Sequence, residues 1–511
     1  MRLAELVAAL SLGVDLGFGQ PMEHVLRECL IALRLAECRG LSDEDRLVIY
    51  YTALLVNVGC HSDAHEQAKW FGDDIALKSG KYEHELGGFA EAVSTLRLFG
   101  AGQPVVQRLR LGVEFAVHGR RDFSGMITNH ARLACWLADQ LGLPRAVQDA
   151  VVASYEQWNG KGWPGELRGT AVPLAARVTQ LAEFTEVAHR AGGVQAAVAL
   201  ARQRAGKQFD PMLVDTLCTH ARTIFTGLDD ARTWDAVIAA EPALAVQLDG
   251  EHFDAALLAV ADFVDLKSPY TLGHARAVAG LAADAARELG CDPTETALLR
   301  RAAMVHGFGR LGVSNSIGDK PGPLEAGELE RVRLYPHITE RMLRQSSALA
   351  PIAAVAVQCH ERLDGSGYPR QLTDPALSRP GRILAAAHAY QTKLEPRPHR
   401  ETMTSTDAAA FLRAEADERR LDGTAVRAVL AAAGQPSRRR HAAPDGLTGR
   451  EIDVLQLLAR GASSKEIAAK LVISPKTARN HIEHIYAKIG ARKRAAASLY
   501  AVRHGLLGAE R

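Results

Sequence analysis

Aromatic residues make up only 5% of this 511-residue chain. β-Sandwiches and barrels lean on aromatic and β-branched side chains, so their scarcity beside abundant alanine points to closely packed helices. No stretch reaches the ~18 uncharged apolar residues of a membrane span. The longest candidate, Leu47 to Cys60, reads as a buried helix. The N-terminal Met1-Arg-Leu-Ala-Glu has no apolar core and no cleavage site, which argues against a signal peptide. Seven cysteines without one Cys-x-x-Cys fit free thiols in a reducing cytoplasm. The low hydrophobicity of disorder is also missing: 47% hydrophobic and 23% charged residues are a globular composition. A chain of this length is expected to hold about two to four domains.

Charge is unevenly placed. The overall balance of +2 divides into 15 Lys+Arg against 6 Asp+Glu from Pro436 to Arg511, and 46 against 53 before it. A basic tail on an acidic body suggests nucleic-acid binding confined to the C-terminus.

The body contains an internal duplication. His24 is followed 35 residues later by Gly59, and His274 by Gly309 at the same spacing. Glu156-Gln-Trp-Asn-Gly-Lys-Gly-Trp-Pro matches Glu361-Arg-Leu-Asp-Gly-Ser-Gly-Tyr-Pro, and Arg177 and Arg382 follow at equal distance. A repeat of this period means two full domains, not a solenoid. They are expected at 20–230 and 252–433, after an N-terminal helix at 1–19. In the second, His274 to Leu289 has a helical apolar pattern stopped at Gly290, and Asp292-Pro-Thr-Glu295 reads as the capped start of the next helix. The rise of these two helices returns His306 to the level of His274. Residues 434–446 are a basic linker without apolar periodicity.

Beyond the linker, 447–511 reads as a helical module. Leu447 to Gly461 is amphipathic and glycine-stopped, Ser463-Ser-Lys-Glu466 opens a second helix, and Ser474-Pro-Lys-Thr477 caps a third. On the third, Ala478, Ile482, Ile485 and Ile489 form a buried stripe, while Lys476, Arg479, Asn480 and Glu483 fall on another face. A short helix, a turn and a helix with cationic and amide groups near its start can enter a DNA major groove.

This module resembles the LuxR-type helix-turn-helix of bacterial regulators through Leu447-Thr448, Arg450-Glu451, Val454-Leu455, Gly461, Lys465-Glu-Ile-Ala468, Leu471, Ser474-Pro-Lys-Thr477, Arg479-Asn-His481, Ile485, Lys488, Gly490 and Gly505-Leu506. Ala478 departs from the family's usual Val. The resemblance implies double-stranded DNA as partner, recognition by Lys476, Thr477, Arg479, Asn480 and His481, and a fourth helix at about 491–504 serving a homodimer.

The second copy resembles the HD-GYP domain, a helical metal-dependent phosphohydrolase fold whose members hydrolyse cyclic di-guanylate. The matching residues are Tyr270-Thr-x-x-His274, His306-x-x-Gly309-Arg310-Leu311, Lys320-Pro-Gly322, Pro336-His337, His360-Glu-Arg362, Asp364-Gly-Ser-Gly-Tyr-Pro369 and Arg382-Ile-Leu384. The family's metal-bridging Asp is here Gly307, the first His of its His-His-Glu is Cys359, a later ligand Asp is His388, and its phosphate-meeting Lys is Arg310. What remains as a metal set is His274, His306, His337, Cys359, His360 and His388, softer than the original and suited to at most one transition metal, zinc or iron. In the first copy the ligand positions hold Val56-Asn57, Ser154-Tyr155 and Glu183 beside retained His24 and His130, so a structural or ligand-sensing role is expected there.

The expected fold is therefore all-α: two tandem HD-GYP-like domains and a four-helix LuxR-type module. The expected function is a cytoplasmic DNA-binding regulator, at the nucleoid when bound to DNA, with no membrane partner and room for a nucleotide effector. Two other readings stand beside it: a cyclic di-guanylate phosphodiesterase with attached DNA binding, and a protein-interaction scaffold.

Overall fold

The computed structural model describes residues 1–82, 120–229, 232–242, 246–434, 444–459, 462–471 and 473–490, with 497, 500, 501 and 506. Among these residues the chain is helical, with only isolated β-bridges, and no helix is long and apolar enough to cross a membrane. It divides into two compact units, Met1–Gln435 and Pro436–Arg511. Most of the linker, 435–443, lies outside the described residues, as do Gly461, Val472, Gly505 and all but 497, 500 and 501 of the expected fourth helix.

Within the first unit the duplication shows as two equivalent sets of helices. Leu3–Gly17 leads into His24–Cys38 and Asp43–Leu55, while Gly250–Asp265 leads into His274–Glu288 and Pro293–Val305. The leading helix belongs to the repeat. Asp15 and Asp265 each stand nine residues before the helix-opening histidine, and each accepts from the backbone N–H just after it, Val25 N at 3.1 Å and Ala275 N at 2.8 Å. A repeat counted from residue 20 therefore starts one helix late. Asp292 caps its helix by accepting from Thr294 N at 2.8 Å and Glu295 N at 2.9 Å.

The matched motifs have local causes. At Gly59 and Gly309 a Cβ would collide with the backbone carbonyls of His130 and Tyr335, so a side chain at either position would force a helix away. Glu156 and Glu361 each turn a carboxylate onto the following loop, accepting from Glu166 N at 2.9 Å and from Arg370 N at 2.8 Å. Arg177 and Arg382 reach Asp210 at 2.5 Å and Asp422 at 3.1 Å, each of which caps the next helix. The copies do not keep separate interiors. The helix Leu3–Gly17 packs on residues 308–312 of the second copy, and its side chains join those of both copies in one apolar core.

In the second unit, three helices, Gly449–Ala459, Ser464–Leu471 and Pro475–Ile489, close over Leu447, Val454, Leu455, Leu458, Ile467, Ala478 and Ile485. Their starts are locked by local hydrogen bonds: Thr448 with Glu451, Ser463 with Glu466, and Ser474 Oγ accepting from Thr477 N at 3.0 Å.

Candidate functional site

The second copy brings three of its six candidate ligands together. One nitrogen from each of His274, His306 and His388 lies within 4.8 Å of the others, and all three side chains are buried. His274 opens its helix, His306 follows the end of Pro293–Val305, and His388 lies within Arg379–Leu394. The histidine orientations follow from their outer nitrogens. His274 Nδ1 donates to the Glu395 carboxylate at 2.8 Å, and His306 Nδ1 donates to the Ala303 carbonyl at 2.6 Å. A carboxylate or carbonyl can only accept, so both Nε2 atoms present lone pairs. They face each other at 3.3 Å. Burial holds all three imidazoles well below their usual pKa; the charge of Arg310 adds to the effect at each, and neighbouring histidines do so at His306 and His388. Neutral imidazoles with converging lone pairs are the donor set a metal ion takes.

The other three expected ligands do not join this group, although the His360 ring lies with its centroid 4.6 Å from that of His388. His360 stacks on Tyr368 with ring centroids 4.5 Å apart, and its Nε2 is hydrogen-bonded to the Tyr335 hydroxyl. Cys359, its neighbour on the turn Val357–His360, is fully buried; burial pushes its thiol up to about 12 against the opposing effects of Arg310 and a hydrogen bond with Tyr335. His337 is 45% exposed, with Nδ1 3.8 Å from Glu340. Neither Cys359 nor His360 joins the group of converging nitrogens among the described residues.

A cleft of about 770 Å³ opens beside the histidines. Arg310, Arg397, Lys320 and Lys267 line it, with Asp265, Tyr335, His360 and His388. Arg310 Nη1 is buried without a hydrogen-bond partner, and the guanidinium lies 5.1 Å from the Tyr335 ring centroid. Arg397 is drawn down to about 10, by burial first and then by the charge of Arg310. Lys320, Arg397 and Lys267 are paired with Glu328, Glu395 and Asp74, which leaves the buried Arg310 as the cleft's cation best placed to meet an anion. At Gly307 a Cβ would meet only the Arg310 side chain, at 3.9 Å, so the guanidinium borders the space a side chain there would enter.

On the helix Pro475–Ile489, Lys476, Thr477, Arg479 and Asn480 are exposed and His481 is half-buried. Ala478 and Ile485 face the core, with Ile482 and Ile489 partly covered. Two matching residues are structural instead: Lys488 pairs with buried Glu451 at 2.7 Å, and Arg450 donates to the Leu471 carbonyl at 2.6 Å.

Comparison with known proteins agrees with this division. The HD domain family matches residues 259–425, and the family of bacterial regulatory proteins of luxR type matches 445–501. The chain is 30% identical over 414 residues to 3'3'-cGAMP-specific phosphodiesterase 3 of Vibrio cholerae, covering 80% of this chain and 90% of that one. The chain belongs to the HD-GYP phosphodiesterase family. It carries in addition a LuxR-type DNA-binding domain. The crystal structure of a cyclic GMP-AMP specific phosphodiesterase of V. cholerae superposes with a TM-score of 0.59 at 27% identity, over 86% of this chain and 99% of that one. The cyclic di-GMP phosphodiesterase response regulator RpfG of Xanthomonas campestris is 34% identical over 140 residues, which is 27% of this chain and 36% of RpfG.

Several residues around this HD-GYP chain's histidines and cleft escaped the motif reading. Glu395 and Arg397 follow the last motif, and nothing in their spacing announces them. Asp265, pushed up to about 7 chiefly by burial, was detectable through its match to Asp15.

Proposed function

We propose that this HD-GYP chain is a DNA-binding regulator whose second copy binds a cyclic dinucleotide without turning it over. The observation that carries this reading is the ligand group itself: three neutral imidazoles and no carboxylate, beside an arginine whose Nη1 has no partner. Two divalent ions at close range need anionic ligands between them, and Gly307 offers none. His274, His306 and His388 would hold one ion of zinc or iron type, which would polarise a phosphate oxygen of the ligand. Arg310 donates to the phosphate, Arg397 and Lys320, paired with Glu395 and Glu328, line the cleft beside it, and Tyr368 offers its ring to a base. The cleft volume lies within the usual range for small-molecule sites, roughly 300–1,000 Å³. The cyclic dinucleotides named for the relatives set the ligand class. Occupancy of the cleft would be read out by the LuxR-type domain, through Lys476, Thr477, Arg479, Asn480 and His481 on the DNA of a homodimer.

The full chain, incubated with cyclic di-GMP or 3'3'-cGAMP and Mn²⁺ or Zn²⁺, is expected to bind nucleotide by calorimetry, to yield no linear product by chromatography, and to change its DNA affinity in gel shifts. Multiple turnovers, abolished by His306→Ala, would establish the phosphodiesterase reading instead. Absence of nucleotide binding would remove the sensor.

A further inference from the structure

The first copy keeps a polar pocket where the second copy has its histidines. Asp15, His24, Glu28, Asn57 and Glu183 line it, all nearly inaccessible to solvent. Glu183 stands at the place of His388, and Asn57 at that of Gly307. Lys81 enters this pocket from a distant part of the chain. Its Nζ lies 2.7 Å from Glu183 Oε1 and 3.3 Å from Asn57 Oδ1, and the Tyr82 hydroxyl donates to the same Glu183 oxygen at 2.9 Å. The rings of Phe18, Tyr82, Tyr155 and Phe184 surround the ammonium, with centroids at 5.3–5.8 Å.

Cations already outweigh the ionised carboxylates here. Glu186 is held down to about 2, where burial is overcome first by its bond to His24 and then by Arg27. Contact with Glu186 draws His24 up against the opposing effect of burial. Lys81 draws Glu183 down, also against burial. Both oxygens of Glu28 are buried without partners, and burial pushes this acid far up, so it stays neutral. Ammonium, imidazolium and guanidinium thus face two carboxylates and a half-charged Asp15, itself raised to about 7 mainly by burial. A divalent ion would meet the Lys81 ammonium at the carboxylate it needs.

Lys81 also lies seven residues after Asp74, which touches the second copy. Asp74 is wholly buried. Its Oδ1 accepts from Ser314 Oγ and Asn315 N, both at 2.8 Å, and its Oδ2 pairs with Lys78 at 3.0 Å and lies 3.5 Å from Lys267. Asn315 in turn donates to the Lys267 carbonyl and to Asp319, both at 2.7 Å, and His65 of the first copy pairs with Asp319 at 2.8 Å. Lys267, Asn315 and Asp319 are wall residues of the second copy's cleft.

We infer that Lys81 is the resident cation of the first copy's pocket, standing where a metal ion would, and that it anchors residues 74–82 so that Asp74 holds the wall of the second copy's cleft. The first copy is then a positioning domain: its former metal site no longer does chemistry but fixes a strut. Lys81 and Asp74 are positioning residues, acting on the cleft through Asn315 and Lys267. Nothing in this inference depends on which ligand the cleft takes.

Amide hydrogen exchange on the full chain tests it directly, because the Asn315 N–H is itself bonded to Asp74. Asp74→Asn is expected to speed exchange across 313–320 by about five- to tenfold, the loss of one charge-assisted cap. Lys81→Met should do the same without touching that wall, and Lys81→Arg, which keeps the cation, should restore protection. Coupling is reciprocal, so Asp74→Asn should also loosen 79–82. Wild-type protection of 313–320 in Lys81→Met, or of 79–82 in Asp74→Asn, would overturn the strut. If Lys81→Met unfolds the first copy, seen as lost protection through His24–Cys38, the Asp74→Asn measurement at 79–82 decides alone. The resident cation has its own readout: the His306→Ala/His388→Ala chain should retain roughly a tenth of a divalent ion or less. About one ion per chain would place a metal in the first copy and refute the inference.

Discussion

His274 Nε2 and His306 Nε2 confront each other at 3.3 Å with both Nδ1 protons already committed to acceptors. Two lone pairs at that separation repel unless a cation lies between them. Burial, and the charge of Arg310 beside them, make a proton a poor cation here, so a metal ion should raise the stability of the unit Met1–Gln435. The perturbation is removal of that ion by a chelator. A ligand at about 100 times its Kd stabilises the state that binds it by about 2.7 kcal/mol. Unfolding entropy near 2.1 cal/mol/K per residue amounts to about 0.9 kcal/mol/K for a unit of this size, so Tm should fall by about 3 °C. Differential scanning calorimetry of the chain with zinc or iron and then with chelator reads the shift, and elemental analysis reads the stoichiometry. His306→Ala/His388→Ala should show no chelator effect. A shift of equal size in that variant, or two ions per wild-type chain, would refute the reasoning from the three imidazoles.

Three further outcomes are expected. Glu186, held at about 2 against an ordinary 4.5, contributes stability that is fully present above pH 4.5 and lost as pH falls towards 2. The loss is about 3 kcal/mol at most, and Glu186→Gln should flatten this acid limb in melts between pH 2 and 5. Arg479→Ala should weaken specific DNA binding by roughly 1–3 kcal/mol if its guanidinium meets a base edge, and affinity should fall steeply with salt; gel shifts at two salt concentrations separate the two effects. Gly307→Asp should fold without loss of Tm, because a Cβ there has room, yet should not confer cyclic dinucleotide hydrolysis, because His388 still stands where a carboxylate would be needed and Arg310 will pair with the new acid.

The helix-turn-helix was legible because its determinants are local. Ser463 with Glu466, and Ser474 with Thr477, sit three residues apart, and a helix start brings such pairs into contact whatever surrounds it. The meeting of His274 with His306 was legible for a related reason, since a two-helix hairpin has a fixed rise and its two arms could be measured along the sequence. The remaining ligand positions were not. Cys359 and His360 are adjacent, and only packing decides that neither joins the three imidazoles, His360 being bound to Tyr335 and Cys359 fully buried beside it. His337 matches a motif position, yet its helix leaves it half exposed.

Sequence by itself therefore determined the helical class, the duplication, the caps and the residue types available for binding, because these depend on spacing within a few turns of chain. Tertiary structure alone decided which lone pairs converge, which guanidinium N–H is left unpartnered, and that Lys81 reaches Glu183 across 102 residues. It also decided that Asp74 of one copy caps a helix of the other across 241. Such contacts depend on how whole helices pack, and a buried charge takes whichever partner that packing brings within reach.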